Sequence, residues 1–124
     1  MTGIQTGDQV IGFLPMTGPG AAAEYVVAPT EVLTPAPKSA ALSDAAALPL
    51  AGLTAWQSLF EHTKLTTGQH VLINGTGGAV DGYAVQSAKQ ADAHVIATAG
   101  PNSSLRVTAA GALPSGKSVV TPTT

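Results

Sequence analysis

A chain of 124 residues with 44% hydrophobic and 10% charged residues has enough apolar material for one core, and too little charge for a disordered chain or a nucleic-acid binder. Its net charge of −2 leaves no basic stripe for phosphate backbones or anionic lipid, and the lack of cysteine removes disulfide scaffolds, thiolate metal sites and cysteine nucleophiles. No apolar run reaches the ~18 residues that span a bilayer, and Met1–Gly7 has no signal-peptide character, so a cytoplasmic protein is expected.

In chain order, residues 1–40 form a Gly- and Pro-rich β region. Strands are predicted over Gln9–Leu14, Ala23–Val27 and Glu31–Leu33, the second closed by Pro29 and the third by Pro35. Connecting helices follow over residues 41–67. Ser43 or Asp44 can cap a short helix that Pro49 stops, and a second helix is predicted from Ala51 to His62. Leu53, Trp56, Leu59 and Phe60 share a face of that helix at helical spacing, with Trp56 expected in the core. Residues 68–124 read as strand, glycine-rich turn, helix, strand. The strand Gln69–Ile73 has the apolar centre of a buried parallel strand, the helix covers Val80–Ala91, and the next strand covers His94–Thr98. Asn102 or Ser103 can cap a last helix ending near Gly111, Val119–Val120 suits a further strand, and the tail from Thr121 is expected to be loose. The fold class is therefore α/β, ending in a βαβ unit with a parallel sheet.

The turn "NGTGGAVDG" (Asn74 to Gly82) carries the chemistry. Glycines let the backbone bend sharply and let a phosphate approach without meeting a Cβ. The first turn of the following helix adds free N–H groups and partial positive charge. Gly75, Gly77 and Gly78 meet the first two needs, while Asp81 stands at the spacing where a third glycine allows close helix–strand packing. A tight βα turn with no ligand satisfies the same spacing equally well.

The stretch "AAALPLAGLTAWQSLFEHTKLTTGQHVLINGTGGAVDGYAVQSAKQADAHVIATA", with "GDQVIGF" and "AEYVVAP" upstream, resembles the zinc-independent medium-chain dehydrogenases/reductases, quinone oxidoreductase-like branch. That resemblance implies a partial GroES-like β region followed by a truncated Rossmann βαβ unit. It also implies NADPH-dependent reduction of a small quinone, enone or enoyl thioester in a small-molecule pathway. The implied cofactor contacts are Gly75, Gly77, Gly78, Ala79 and Val80 at the pyrophosphate, and Thr98, Asn102 and Ser103 at the adenosine ribose. The ribose segment lacks the acidic residue that selects NAD, but it is also neutral where NADP-using members often carry a base.

Three departures qualify the resemblance. Asp81 replaces the family's glycine, and a carboxylate about 5 Å from a pyrophosphate costs about 1–3 kcal/mol, or about ten- to hundredfold in affinity. Acidic residues are also stabilising at a helix N-terminus, which is the bland account of Asp81. Relative to the family, the chain starts inside the GroES-like domain and stops about halfway through the nucleotide-binding sheet. An exposed strand edge and apolar face are thus expected, covered in a homodimer. The alternative is a cofactor-independent cyclase, dehydratase or isomerase acting on a polyketide-like substrate, with Asp81 or Asn74 as polar groups, or a non-catalytic binding protein. Tyr25 is a core or pocket-wall residue with a proton donor as its second reading, and His62, His70 and His94 are structural, so no metal is expected.

Overall fold

The computed structural model describes residues 3–110, 114–115 and 121–122. The chain divides into two compact units, Met1–Leu50 and Ala51–Thr124.

In the first unit, β1 (Val10–Gly12) pairs antiparallel with β2 (Leu33–Pro35), Val10 opposite Pro35 and Gly12 opposite Leu33. The pairing depends on Gly12, where a Cβ would lie 2.5 Å from the Val32 carbonyl oxygen. Pro35 sits at the end of its strand, a position that tolerates a missing N–H. Part of the third predicted strand is a single 3₁₀ turn, Thr30–Val32, that delivers the chain into β2. The predicted strand Ala23–Val27 does not form, and Tyr25 and Val27 are 91% and 98% exposed. β-Prone residues express that preference against a partner strand and a packed face. Among the described residues this segment has no partner strand, so Tyr25 is a surface residue and not a core one.

The helical connection also differs in detail. α1 spans Leu42–Ala45 behind Ala41, with Asp44 in its first turn. Pro49 does not stop a helix; it lies in the first turn of α2 (Leu48–Trp56). A helix's first N–H groups lack intrahelical partners, so proline costs little there. α2 continues into a π-helical stretch, Gln57–His62, at whose end the Thr63 N–H reaches back five residues to the Ser58 carbonyl (3.1 Å). Ala55 and Leu59 face the core, whereas Leu53 and Trp56 are 51% and 52% exposed. Phe60 lies between the two faces: it packs on the core, and its ring meets that of Trp56 at 4.4 Å. The expected burial of Trp56 is corrected accordingly. Spacing identifies residues that share a face, and here the helix turns its neighbouring face, with the small Ala55, toward the core.

The second unit is the βαβ motif. β3 (His70–Ile73) runs parallel to β4 (His94–Thr98), with His70 beside His94 and Ile73 beside Ala97. α3 (Ala79–Gln90) connects them and buries Ala84, Val85 and Ala88 against the strands. β4 is the central strand and alternates cleanly, its Val95 and Ala97 fully enclosed. Ile73 is the one buried residue of β3; Leu72, expected in a strand covered on both sides, is 57% exposed. After a 3₁₀ turn at Pro101–Ser103 comes α4 (Ser104–Ala109), which places Val107 in the core. β5 (Pro114–Ser115) extends the parallel sheet on β4, and β6 (Thr121–Pro122) pairs antiparallel with Ile96. Thr121 and Pro122 are therefore paired where a loose tail was expected, while Val119–Val120 and Gly111 lie outside the described residues.

Candidate functional site

The turn from β3 into α3 is held from β4 by one residue. The Thr76 N–H and hydroxyl both donate to the Thr98 carbonyl, at 2.8 and 2.7 Å. The Gly75 N–H donates to Thr98 Oγ1 at 2.9 Å, and the Thr98 hydroxyl donates in turn to Asn74 Oδ1. Thr76 is 1% exposed, so its bonds are shielded from water. Gly75 adopts φ +78°, a region that costs an L-residue about 1–2 kcal/mol. The strand end and the turn are thus one hydrogen-bonded piece, with Thr98 acting as a positioning group.

The two glycines that follow let the Ser103 and Asp81 side chains lie close against the backbone. A Cβ on Gly77 would lie 2.8 Å from Ser103 Oγ, and one on Gly78 would lie 2.9 Å from Asp81 Oδ2. Gly78 is the N-cap of α3 and, lacking a side chain, makes no capping bond. The 12-residue helix thus opens behind a residue with no side chain, a feature shared with phosphate-binding turns. Asp81, third residue of the helix, folds its carboxylate back over Gly78. The turn suits a pyrophosphate in shape and opposes it in charge.

The third wall comes from the segment after β4. Ser103 is half-buried against Gly77, and Arg106 of α4 donates from its guanidinium to the Gly77 carbonyl. A cleft of about 450 Å³ opens beside the turn, lined by Thr76, Gly78, Ala79, Tyr83, Arg106 and Val107 among others. Of the residues singled out by sequence, Gly75, Gly77, Gly78, Thr98 and Ser103 converge here. Ala79 is exposed at the cleft, Val80 packs half-buried on the core, and Asn102 is exposed in the same 3₁₀ turn as Ser103. The Asn74 side chain accepts the Thr98 hydroxyl, Asp81 stands at the rim, and Tyr25 belongs to the other unit.

Sequence reasoning missed Thr76 and Arg106. Thr76 is the only non-glycine among residues 75–78, and Arg106 is the only arginine in the chain; either oddity was a usable signal. His70 and His94 stack at 4.6 Å where β3 and β4 begin, remote in the strands from the turn at their other ends. Among the described residues no group of three or more His, Cys, Asp or Glu could hold a metal ion, and no helix is long and apolar enough to cross a membrane.

No family model matches the chain. It is 42% identical over 101 residues to the chloroplast envelope quinone oxidoreductase homolog of Arabidopsis thaliana, a match covering 77% of this chain and 31% of that protein. Among solved structures it resembles the quinone oxidoreductase of Coxiella burnetii with a TM-score of 0.82 and 34% identity, over 90% of this chain and 35% of the other. The quinone oxidoreductase of Thermus thermophilus, solved also in complex with NADPH, matches with a TM-score of 0.70 and 32% identity, over 78% of this chain and 33% of the other. The chain spans about a third of the length of the curated relatives it matches.

Proposed function

Over the matched stretch the chain belongs to the quinone oxidoreductase-like medium-chain dehydrogenases/reductases, and on that premise we propose that it serves an NADPH-dependent reduction of a quinone or enone in a small-molecule pathway, with its hold on the cofactor weakened by Asp81. The observation that carries this reading is the bare-backbone seat of Gly75, Gly77 and Gly78 at the head of α3, pinned by Thr98. When bound, the dinucleotide supplies hydride to an activated carbonyl or conjugated double bond. The chain's own residues would bind and orient it: the first turn of α3 would hold the pyrophosphate, and Thr98 to Ser103 would flank the ribose. Asn74 and Asp81 are the polar groups of the alternative, cofactor-independent reading, and the Asn74 side chain already accepts the Thr98 hydroxyl.

Titration of NADPH into the purified protein tests this directly. Saturable binding with a change in nicotinamide fluorescence is expected. A folded protein that binds none at cofactor concentrations on the order of 1 mM sinks the reading. Turnover of a polyketide-like substrate without cofactor would then point to a cofactor-independent cyclase, dehydratase or isomerase.

The same reading extends to assembly. Leu53, Trp56 and Leu72 of the second unit are each more than half exposed, and β3 ends the β3–β4–β5 path of the sheet. Apolar side chains and a strand edge with no neighbour among the described residues favour a second copy as cover. Light scattering is expected to return twice the 12.2 kDa chain mass; a strict monomer at high concentration contradicts the dimer.

A further inference from the structure

We propose that His70 and His94, which the sequence alone reads as structural, form a two-imidazole site for a divalent transition-metal ion of the zinc class. The site lies at the end of the sheet opposite the glycine turn and is independent of the dinucleotide reading. The two residues are register partners at the first positions of β3 and β4. Adjacent strands lie about 4.8 Å apart, so the ladder itself brings both side chains together on one face of the sheet. The backbone beneath them is pinned: the His94 N–H donates to the Gln69 carbonyl at 2.8 Å, and the Gly68 N–H to the Asp92 carbonyl at 3.0 Å. The rings stack with centroids 4.6 Å apart and planes 29° from parallel. Neither ring makes a hydrogen bond among the described residues. His70 is exposed and His94 half-buried, so an ion reaches the pair from solvent. Imidazole suits zinc, copper and nickel, whereas magnesium and calcium take oxygen ligands. Two imidazole nitrogens on one tetrahedral zinc ion stand about 3.3 Å apart, given a Zn–N bond of about 2.0–2.1 Å. The broad χ2 torsion of histidine lets rings with centres 4.6 Å apart turn to that bite. No third His, Cys, Asp or Glu joins them among the described residues, so the remaining positions fall to water and the ion is exchangeable. An ion held by both strands ties β3 to β4 and favours the folded chain.

The competing account is that the two rings only stack. Titration of zinc chloride into the whole chain, read by calorimetry and by the ¹⁵N-labelled imidazole resonances, separates the two. Saturable binding is expected, with His70 and His94 shifting together and His62 unmoved, while magnesium chloride moves none of the three. His70→Ala and His94→Ala are each expected to weaken zinc by about tenfold or more, and His62→Ala to leave it unchanged. No saturation by zinc at about 1 mM, shifts at one of the pair alone, or an equal shift at His62 overturns the assignment. The melting temperature gives a second check: zinc is expected to raise that of wild type and not that of the variant lacking both rings, and a rise of the same size in that variant overturns the proposal. If the variants fail to fold, the wild-type imidazole resonances alone decide, because a pair that only stacks does not respond to zinc as a unit.

Discussion

Asp81→Asn is expected to tighten NADPH binding by about ten- to hundredfold, the reverse of the cost expected for a carboxylate about 5 Å from a pyrophosphate. Asparagine keeps the shape of the side chain that folds over Gly78 and removes only its charge. The same change should lower stability, because an acidic residue in the first turn of α3 complements the helix dipole by about 0.3–1 kcal/mol. Affinity and stability are therefore expected to move in opposite directions, a pattern that general loosening of the fold does not produce. A variant whose NADPH affinity equals that of wild type removes Asp81 from the account.

Leu59→Ala is expected to cost about 2–5 kcal/mol of unfolding free energy, against about 1 kcal/mol or less for Leu53→Ala. Leu59 is 5% exposed in the cluster that contains Val85, Val95 and Val107, and Leu53 is 51% exposed. For a domain stabilised by about 5–15 kcal/mol the first change is a large fraction of the total. Urea midpoints for the two variants check the contrast. Equal losses would mean that the continuous helix from Leu48 to His62 packs through both faces, contrary to the structure.

The βαβ motif was legible because each of its signals is local. The apolar centre of β3, the glycines that follow it and the helical spacing of α3 all lie within residues 69–91, and the structure forms them within a residue or two. The turn itself was equally legible from its glycines, and Gly75 adopts the positive φ that such a bend needs. What failed depended on distant partners. Ala23–Val27 has the composition of a strand but, among the described residues, no strand beside it, and Pro49 lies in the first turn of a new helix because α1 had already ended at Ala45. Leu53 and Trp56 share a helical face as their spacing requires, yet spacing does not say which face the sheet will cover. Arg106 and Gly77 are 29 residues apart, and only the return of the chain through β4 and α4 brings them together.

The central claim is that the bend at Gly75–Val80 seats a dinucleotide whose affinity Asp81 holds down. Amide chemical shifts of ¹⁵N-labelled Asp81→Asn, followed during NADPH addition, test it most directly. The account predicts saturating shifts concentrated at Gly75 to Val80 and Thr98 to Ser103, with the same amides moving in wild type only at higher cofactor concentration. Shifts centred elsewhere, or wild type saturating as readily as the variant, would contradict it.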